Sequence, residues 1–349
     1  MISNYYVVSY NSEGKCNLLD SNIKGLKSII VIECCSRLIT TMIFKKISNE
    51  ILSKSPNLEI IHDPIDNNVI EGVIDRNLSI GIFSKCLMED NNTDYSGKEQ
   101  ISLNCCYANK SDKINEINSD IKSKFDEAVE YFKEAKKTHD DWEHVYIQNI
   151  DFSKADEIVE IKINEILEGK KFDKESVVHE RFFGAISAHG ATNYVEEIIK
   201  NKKTRYFIKG RPGTSKSTLL KKLAHRASEK GIDVDVYYCA SDINSLDMLV
   251  FPELDTCIFD STAPHEFFPS MDNDIVIDMY SELLEDGFDE RNEELLNEIK
   301  AKYNEDIVKG VSVFKEIFKL YDNLETEYIS TIDFDLLANL YEKILGIIK

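Results

Sequence analysis

The sequence predicts an α/β fold built twice in tandem, each unit a short, mostly parallel sheet with flanking helices, followed by a long-helix hairpin. Three observations carry this. The chain matches itself at a fixed offset, short apolar strands alternate with helical stretches in both copies, and each half contains one long apolar seam at helical spacing.

At an offset of 176, residues 4–86 lie on 180–262 without a gap, pairing Gly14 with Gly190, Asn17 with Asn193, Ile32 with Ile208 and Asp66 with Asp242. Farther on the offset is 182, which implies six extra residues in the second copy. Phe132-Lys133-Glu134 then meets Phe314-Lys315-Glu316, and Ile150-Asp151-Phe152 meets Ile332-Asp333-Phe334.

In order, each half reads as a short strand (5–10; 182–188), a strongly apolar strand (28–32; 205–208) and a helix. Two more strands follow (58–62 and 79–83; 234–239 and 256–259), then the helical hairpin. The seam of the first hairpin runs by threes and fours from Ile114 through Ile121, Ala128, Phe132 and His139 to Tyr146. Its counterpart runs from Leu296 through Tyr303, Gly310, Phe314 and Tyr321 to Tyr328. An amphipathic stripe of this kind needs only a core to face, so both seams are read as packing. Strands alternating with helices imply a parallel sheet covered by helices. The boundary is expected near Gly169-Lys170-Lys171, separating residues 1–172, with a hairpin at about 107–167, from 173–349, with a hairpin at about 290–348.

Apolar residues make up 42% and charged residues 30%, as in an ordinary globular protein. Lys and Arg total 42 against 63 Asp and Glu, a formal charge of −21 that repels polynucleotides and anionic lipid. No nucleic-acid partner is expected. The eight cysteines include the adjacent pairs Cys34/Cys35 and Cys105/Cys106 but no CxxC and no metal-site spacing, which fits reduced thiols in a cytoplasmic protein. The N-terminus lacks a basic region followed by an apolar run, and no stretch approaches the ~18 apolar residues of a membrane span. A soluble, unexported chain with no membrane partner is expected.

The segment RYFIKGRPGTSKSTLLKKLA, from Arg205 to Ala224, is a strand, a glycine-rich turn and a helix start in that order. Glycines let backbone N–H groups close around an anion, and the helix N-terminus adds its positive end. A lysine neutralises the outer phosphates and the next hydroxyl ligates Mg²⁺. Gly210, Gly213, Lys216 and Ser217 stand where those tasks need them. Gly210, Arg211, Pro212, Gly213, Thr214, Ser215, Lys216, Ser217 and Thr218 are therefore the predicted P-loop cradle for ATP with Mg²⁺. An apolar strand, TCIFD, ends at Asp260, 44 residues after Lys216, and this carboxylate is the expected second Mg²⁺ residue beside Ser217. The loop departs from GxxxxGK(S/T) at Ser215. If that position needs φ > 0, serine costs about 1–2 kcal/mol, or about tenfold in affinity.

The run from Arg205 to Ser270, with CASDINSLDM and FDSTAPHEFFP after the loop, resembles an uncharacterised bacterial family of tandem P-loop ATPase or nucleotide-kinase-like proteins. The segments DDWEHVYIQNIDF and DNLETEYISTIDF resemble that family's helical modules and extend the likeness over nearly the whole chain. The family's loop normally reads GTGKST, so Ser215 departs from it too. The resemblance implies P-loop units in tandem and a nucleoside triphosphate as ligand.

Asp242 and His265, with Glu266 beside it, are read as facing the carboxyl edge of the sheet, where they would orient water or an acceptor. Capping and turn roles compete for both. Lys216, Asp260, Asp242 and His265 are thus the expected catalytic set. Ser261 follows Asp260 in place of a water-polarising glutamate, which favours a kinase-like or slowly hydrolysing site. The basic cluster Lys200, Lys202, Lys203, Arg205, Lys209 and Arg211 either draws in a phosphorylated ligand or forms a solvated rim. The readings are an enzyme transferring the γ-phosphoryl to water or an unidentified small acceptor, a nucleotide-gated module with a small-molecule or protein partner, and a purely structural protein.

The first half is expected to bind no nucleotide. At offset 176, Cys34, Arg37 and Thr40 replace Gly210, Gly213 and Lys216, and Ser84 replaces Asp260, while Thr41 alone matches Ser217. Arg37 has one alternative, reaching across to the phosphates of the other half.

Overall fold

The computed structural model describes residues 2–89, 98–107, 112–262 and 266–348. The first half runs β1 (Ile2–Tyr5), β2 (Val8–Asn11), β3 (Gly14–Asn17), α1 (Leu19–Ile23), β4 (Ser28–Glu33), α2 (Arg37–Leu52) and β5 (Leu58–His62). It continues with β6 (Ile70–Asp75), β7 (Ile80–Ser84), α3 (Lys85–Met88), β8 (Lys98–Ser102), α4 (Asp112–Ile147) and α5 (Phe152–Leu167). The second half runs β9 (Val178–Phe182), β10 (Gly184–Ser187), β11 (Gly190–Asn193), α6 (Val195–Ile199), β12 (Thr204–Lys209), α7 (Lys216–Glu229) and β13 (Val234–Tyr238). It closes with β14 (Leu246–Phe251), β15 (Thr256–Asp260), β16 (Asp274–Asp278), α8 (Met279–Leu283), α9 (Phe288–Arg291), α10 (Glu293–Ile329) and α11 (Phe334–Ile348).

The strands form two six-stranded sheets, ordered β1-β5-β6-β7-β4-β8 and β9-β13-β14-β15-β12-β16. Every strand has a counterpart at the same place in the other sheet, which is the duplication expressed as topology. The sheets are mostly parallel, with one exception each: β6 and β14 run antiparallel to both neighbours. The mostly parallel sheets expected from sequence are thus present, each with one antiparallel strand that the sequence reading did not place. Only seven residues, 63–69, join β5 to β6, too few for the crossover that a parallel partner needs, so the chain must reverse. The single strands expected over 5–10 and 182–188 also divide. Tyr5 and Phe182 end the sheet-edge strands β1 and β9, while β2 and β10 turn back on β3 and β11 as separate hairpins.

The long helices depart most from expectation. Instead of folding back on its own sequel, α4 packs antiparallel along α10, with Lys113 bonded to Glu327 and Lys124 to Glu316. The two seams have the same length and register, so each is the other's best cover. The sequels are exchanged. Ala155, Val159, Ile163 and Ile166 of α5 join Leu219, Leu220 and Leu223 of α7 in the second half's core. Ile344 of α11, with Leu337 and Leu340 packed against it, joins Ile39, Ile43 and Phe44 of α2 in the first.

Two pairs mark an approximate twofold axis. Tyr6 and Phe182, 176 apart in sequence, exchange backbone hydrogen bonds at 2.9 and 2.8 Å. Phe132 and Phe314, 182 apart, meet with ring centroids 5.3 Å apart. The remaining faces of the two sheets share one apolar cluster that includes Val31 and Phe83 from one half and Phe207 and Phe259 from the other. Among the described residues no helix is long and apolar enough to cross a membrane.

Candidate phosphate-binding site and its first-half counterpart

Strand β12 is buried and apolar through Phe207 and Ile208, and the chain leaves it at the carboxyl edge into the loop 210–215. Two glycines there have no substitute. A Cβ on Gly210 would stand 2.4 Å from Thr214 Oγ1, and one on Gly213, whose φ is +77°, would stand 2.9 Å from Ile147 Cγ1. Thr214 folds its hydroxyl into the loop, donating to Arg211 O at 2.8 Å and accepting from Arg211 N–H at 3.1 Å. Ser215 adopts φ +62°, ψ +15°, the left-handed conformation on which its cost depends, and as the residue before α7 it makes no capping bond. Among the described residues, the N–H groups of Gly213, Ser215, Lys216 and Ser217 find no acceptor. A helix start with bare N–H groups and the dipole behind them is an anion site in its electrostatics.

Lys216 arches back over this loop. Its ammonium donates to Arg211 O at 2.8 Å and lies 3.5 Å from Asp260 Oδ2. The register explains the meeting: Ile208, two residues before Gly210, pairs directly with Asp260 across the parallel β12–β15 ladder. Thr262 holds the other Asp260 oxygen through its N–H at 3.1 Å and its hydroxyl at 2.5 Å. The Ser217 hydroxyl accepts from Leu246 N–H at 2.9 Å and keeps a lone pair for a further partner. Lys216, Ser217 and Asp260 are therefore brought together at one edge.

Asp247 was not anticipated. It is the second residue of β14, and because that strand is antiparallel its start lies at the edge where β12 and β15 end. Burial, then the charge of Asp260, pushes its carboxyl up to about 7. One sequence signal pointed to it, since Glu71 occupies the same place in the first copy at offset 176. Burial and Asp63 push the Glu71 carboxyl up as well, also to about 7.

The remaining expected residues fare differently. Asp242 lies in the turn after β13, past the strand expected over 234–239, where it accepts from Asn244 N–H at 2.9 Å. Its other oxygen is 3.5 Å from Lys136 Nζ on α4 of the first half. His265 lies outside the described residues. Glu266 reaches Lys209 at 3.6 Å. The basic cluster is dispersed. Lys200, Lys202 and Lys203 precede β12 at the end remote from the loop, and Arg205 is buried against Asp274 at 2.5 Å. Lys209 donates to Ser261 O at 2.6 Å and Phe267 O at 3.1 Å, and Arg211 pairs with Asp289 at 2.7 Å. Sequence reasoning also missed the wall supplied by α4: Glu143 O would stand 3.1 Å from a Cβ on Gly213.

The first-half counterpart is built differently. Ser84 takes the place of Asp260 in register with Ile32 and donates to Glu71. Arg37 does not reach toward the other half's loop. Its guanidinium pairs with Asp63 at 2.6 Å and lies 3.9 Å from the Tyr321 ring centre. The opening N–H groups of α2 are satisfied, in contrast to those of α7: Ile39 donates to Ser36 Oγ, and Arg37 to a carboxylate oxygen of Glu325.

Comparison with family models, curated proteins and solved structures gave no match.

Proposed function

We propose that the second half binds a nucleoside triphosphate, ATP with Mg²⁺, on residues 210–218, and slowly hydrolyses it or passes its phosphoryl group to a small acceptor. The observation that carries this reading is the meeting of bare helix-start N–H groups with the Lys216 ammonium, 3.5 Å from Asp260, at the carboxyl edge of the sheet. The loop N–H groups would hold phosphate oxygens, and Lys216 would exchange its bond to Arg211 O for one of them. Mg²⁺ would neutralise charge between phosphates, and the protein groups suited to hold it are the Ser217 lone pair and Asp260 Oδ2, which Lys216 would release on turning to phosphate. Asp247, protonated below about pH 7, can keep a proton beside Asp260. The likeness of the loop to the tandem P-loop family supports the same reading.

Lys216→Ala should abolish most ATP affinity in a calorimetric titration while leaving the melting temperature nearly unchanged. Equal binding by parent and variant would sink the proposal. Asp260→Asn should weaken Mg²⁺-dependent binding more than metal-free binding. Stoichiometry should be one ATP per chain, because the first half has neither the lysine nor the glycines. A second reading, a nucleotide-gated module with incidental turnover, is favoured by one contact: Gly213 abuts Ile147 and Glu143 of α4, so a ligand in the loop bears on the helix that joins the halves. Lys216-dependent phosphate release over hours separates the two, since the module binds without it.

A further inference from the structure

Glu325 lies on α10, in the second half, yet its carboxylate sits at the start of α2 in the first. It is 7% exposed. One oxygen accepts from Arg37 N–H at 2.6 Å and more weakly from Leu38 N–H at 3.4 Å, and the other accepts the Ser36 hydroxyl at 2.5 Å. Among the described residues no Lys or Arg side chain pairs with it, so peptide N–H groups, a hydroxyl and the positive end of a 16-residue helix meet its charge.

Offset 176 turns Arg37 and Leu38 into Gly213 and Thr214, so these N–H groups belong to the segment that forms the bare loop in the second half. Two oxygens of one anion, held by consecutive N–H groups and a hydroxyl at a helix start, reproduce how a phosphate is held there. We propose that the first half retains an oxyanion cradle and that Glu325 is its resident ligand, a carboxylate from the other half that clamps α10 to α2 and closes the cradle to phosphates.

Neighbouring groups support the clamp. One turn earlier on α10, Tyr321 carries the Arg37 guanidinium on its ring, so the start of α2 is gripped through both its N–H groups and its first side chain. The adjoining cavity, about 510 Å³, is lined by five acidic side chains (Glu33, Asp63, Glu71, Glu89, Glu325) and three basic ones (Lys15, Arg37, Lys85), a balance that repels a second anion. The counterpart of Glu325 at offset 182 is Glu143, which touches the second-half loop through its backbone oxygen. One cradle is thus filled from within and the other is left to a ligand.

This inference does not rest on the nucleotide reading, and its test is run in the Lys216→Ala background to keep the two apart. Melting temperatures are measured in chloride and in inorganic phosphate at matched ionic strength. Adding Glu325→Ala should lower the melting temperature by about 5 °C, and phosphate at tens of millimolar should restore most of that loss by taking the carboxylate's place. Lys216→Ala alone should respond little to phosphate. Glu325→Gln, which still fills the cradle, should lose less and gain nothing from phosphate. A Glu325→Ala protein as stable as its background, or one whose loss phosphate does not repair, overturns the proposal. Should that variant fail to fold, amide exchange in the parent decides: slow exchange at Arg37 and Leu38 relative to Ser215 and Lys216 sustains the clamp, and equal rates refute it.

Discussion

Ser215 holds φ at +62° in the loop itself, a conformation that costs an L-residue about 1–2 kcal/mol. Since the fold already carries this strain, relieving it should act on stability more than on binding, and the tenfold affinity gain expected from sequence shrinks accordingly. Ser215→Gly should gain about 0.5–1 kcal/mol after the extra unfolded-state freedom of glycine is subtracted, which raises the melting temperature by about 2 °C. A lower melting temperature would show that the serine side chain makes a compensating contact. Gly210, Lys216 and Asp260 were legible because their spacing is local and the chemistry dictates it. Asp247 was not, because DINSLDM has the composition of a turn and nothing in it announces an antiparallel strand that starts at the edge where β12 and β15 end. Lys136 and Glu143 were illegible for another reason: they reach the site from the other half, and only tertiary packing brings them there.

At the scale of elements, the long helices were legible as helices and their partners were not. A seam at three- and four-residue spacing states that a face is buried but not against what. The α4–α10 crossing supplies the partner and makes a demand on Gly310. A Cβ there would lie 2.5 Å from Cε1 of Phe132, whose ring is 3% exposed and set edge-on to Phe314. Alanine would gain up to about 1 kcal/mol in helix propensity, whereas overpacking a closed core costs about 1–3 kcal/mol. Gly310→Ala should therefore destabilise by about 1 kcal/mol in urea unfolding, and Phe132→Leu should rescue it by making room. Stabilisation by Gly310→Ala would mean that the ring can step aside. The strands β6 and β14 were missed because each lies between two expected strands on short connections, in a stretch where the sequence reading placed no element.

Across the whole molecule, the exchanged helices α5 and α11 and the buried ion network between the sheets make the two halves one cooperative body, and that body should have an unusual pH profile. Burial alone would raise the Glu59 carboxyl, but Arg181 from the other sheet at 3.0 Å, and then Arg76, hold it down to about 2. Between pH 2 and the ordinary carboxyl value near 4.3 the unfolded chain binds the extra proton, so stability rises with pH there and is lost as acid passes through the folded value. Asp247 and Glu71 behave oppositely. Their folded values near 7 exceed their unfolded ones, so from about pH 4 to 7 the folded chain holds the extra protons. Stability then falls as pH rises, by about 1.4 kcal/mol per pH unit for each group at most. The net charge of −21 at pH 7 adds self-repulsion of the same sign. Burial lowers the His62 and His139 imidazoles, which opposes this fall just below their ordinary value near 6.5, but the two carboxyls act over a wider range, so maximum stability should lie near pH 4–5, below the neutral optimum common among proteins. Urea midpoints measured from pH 3 to 8 test this: Asp247→Asn and Glu71→Gln should each flatten the fall above pH 5, and Glu59→Gln should flatten the rise below it. A neutral limb untouched by both Asp247→Asn and Glu71→Gln would mean that neither carboxyl keeps its proton in the fold.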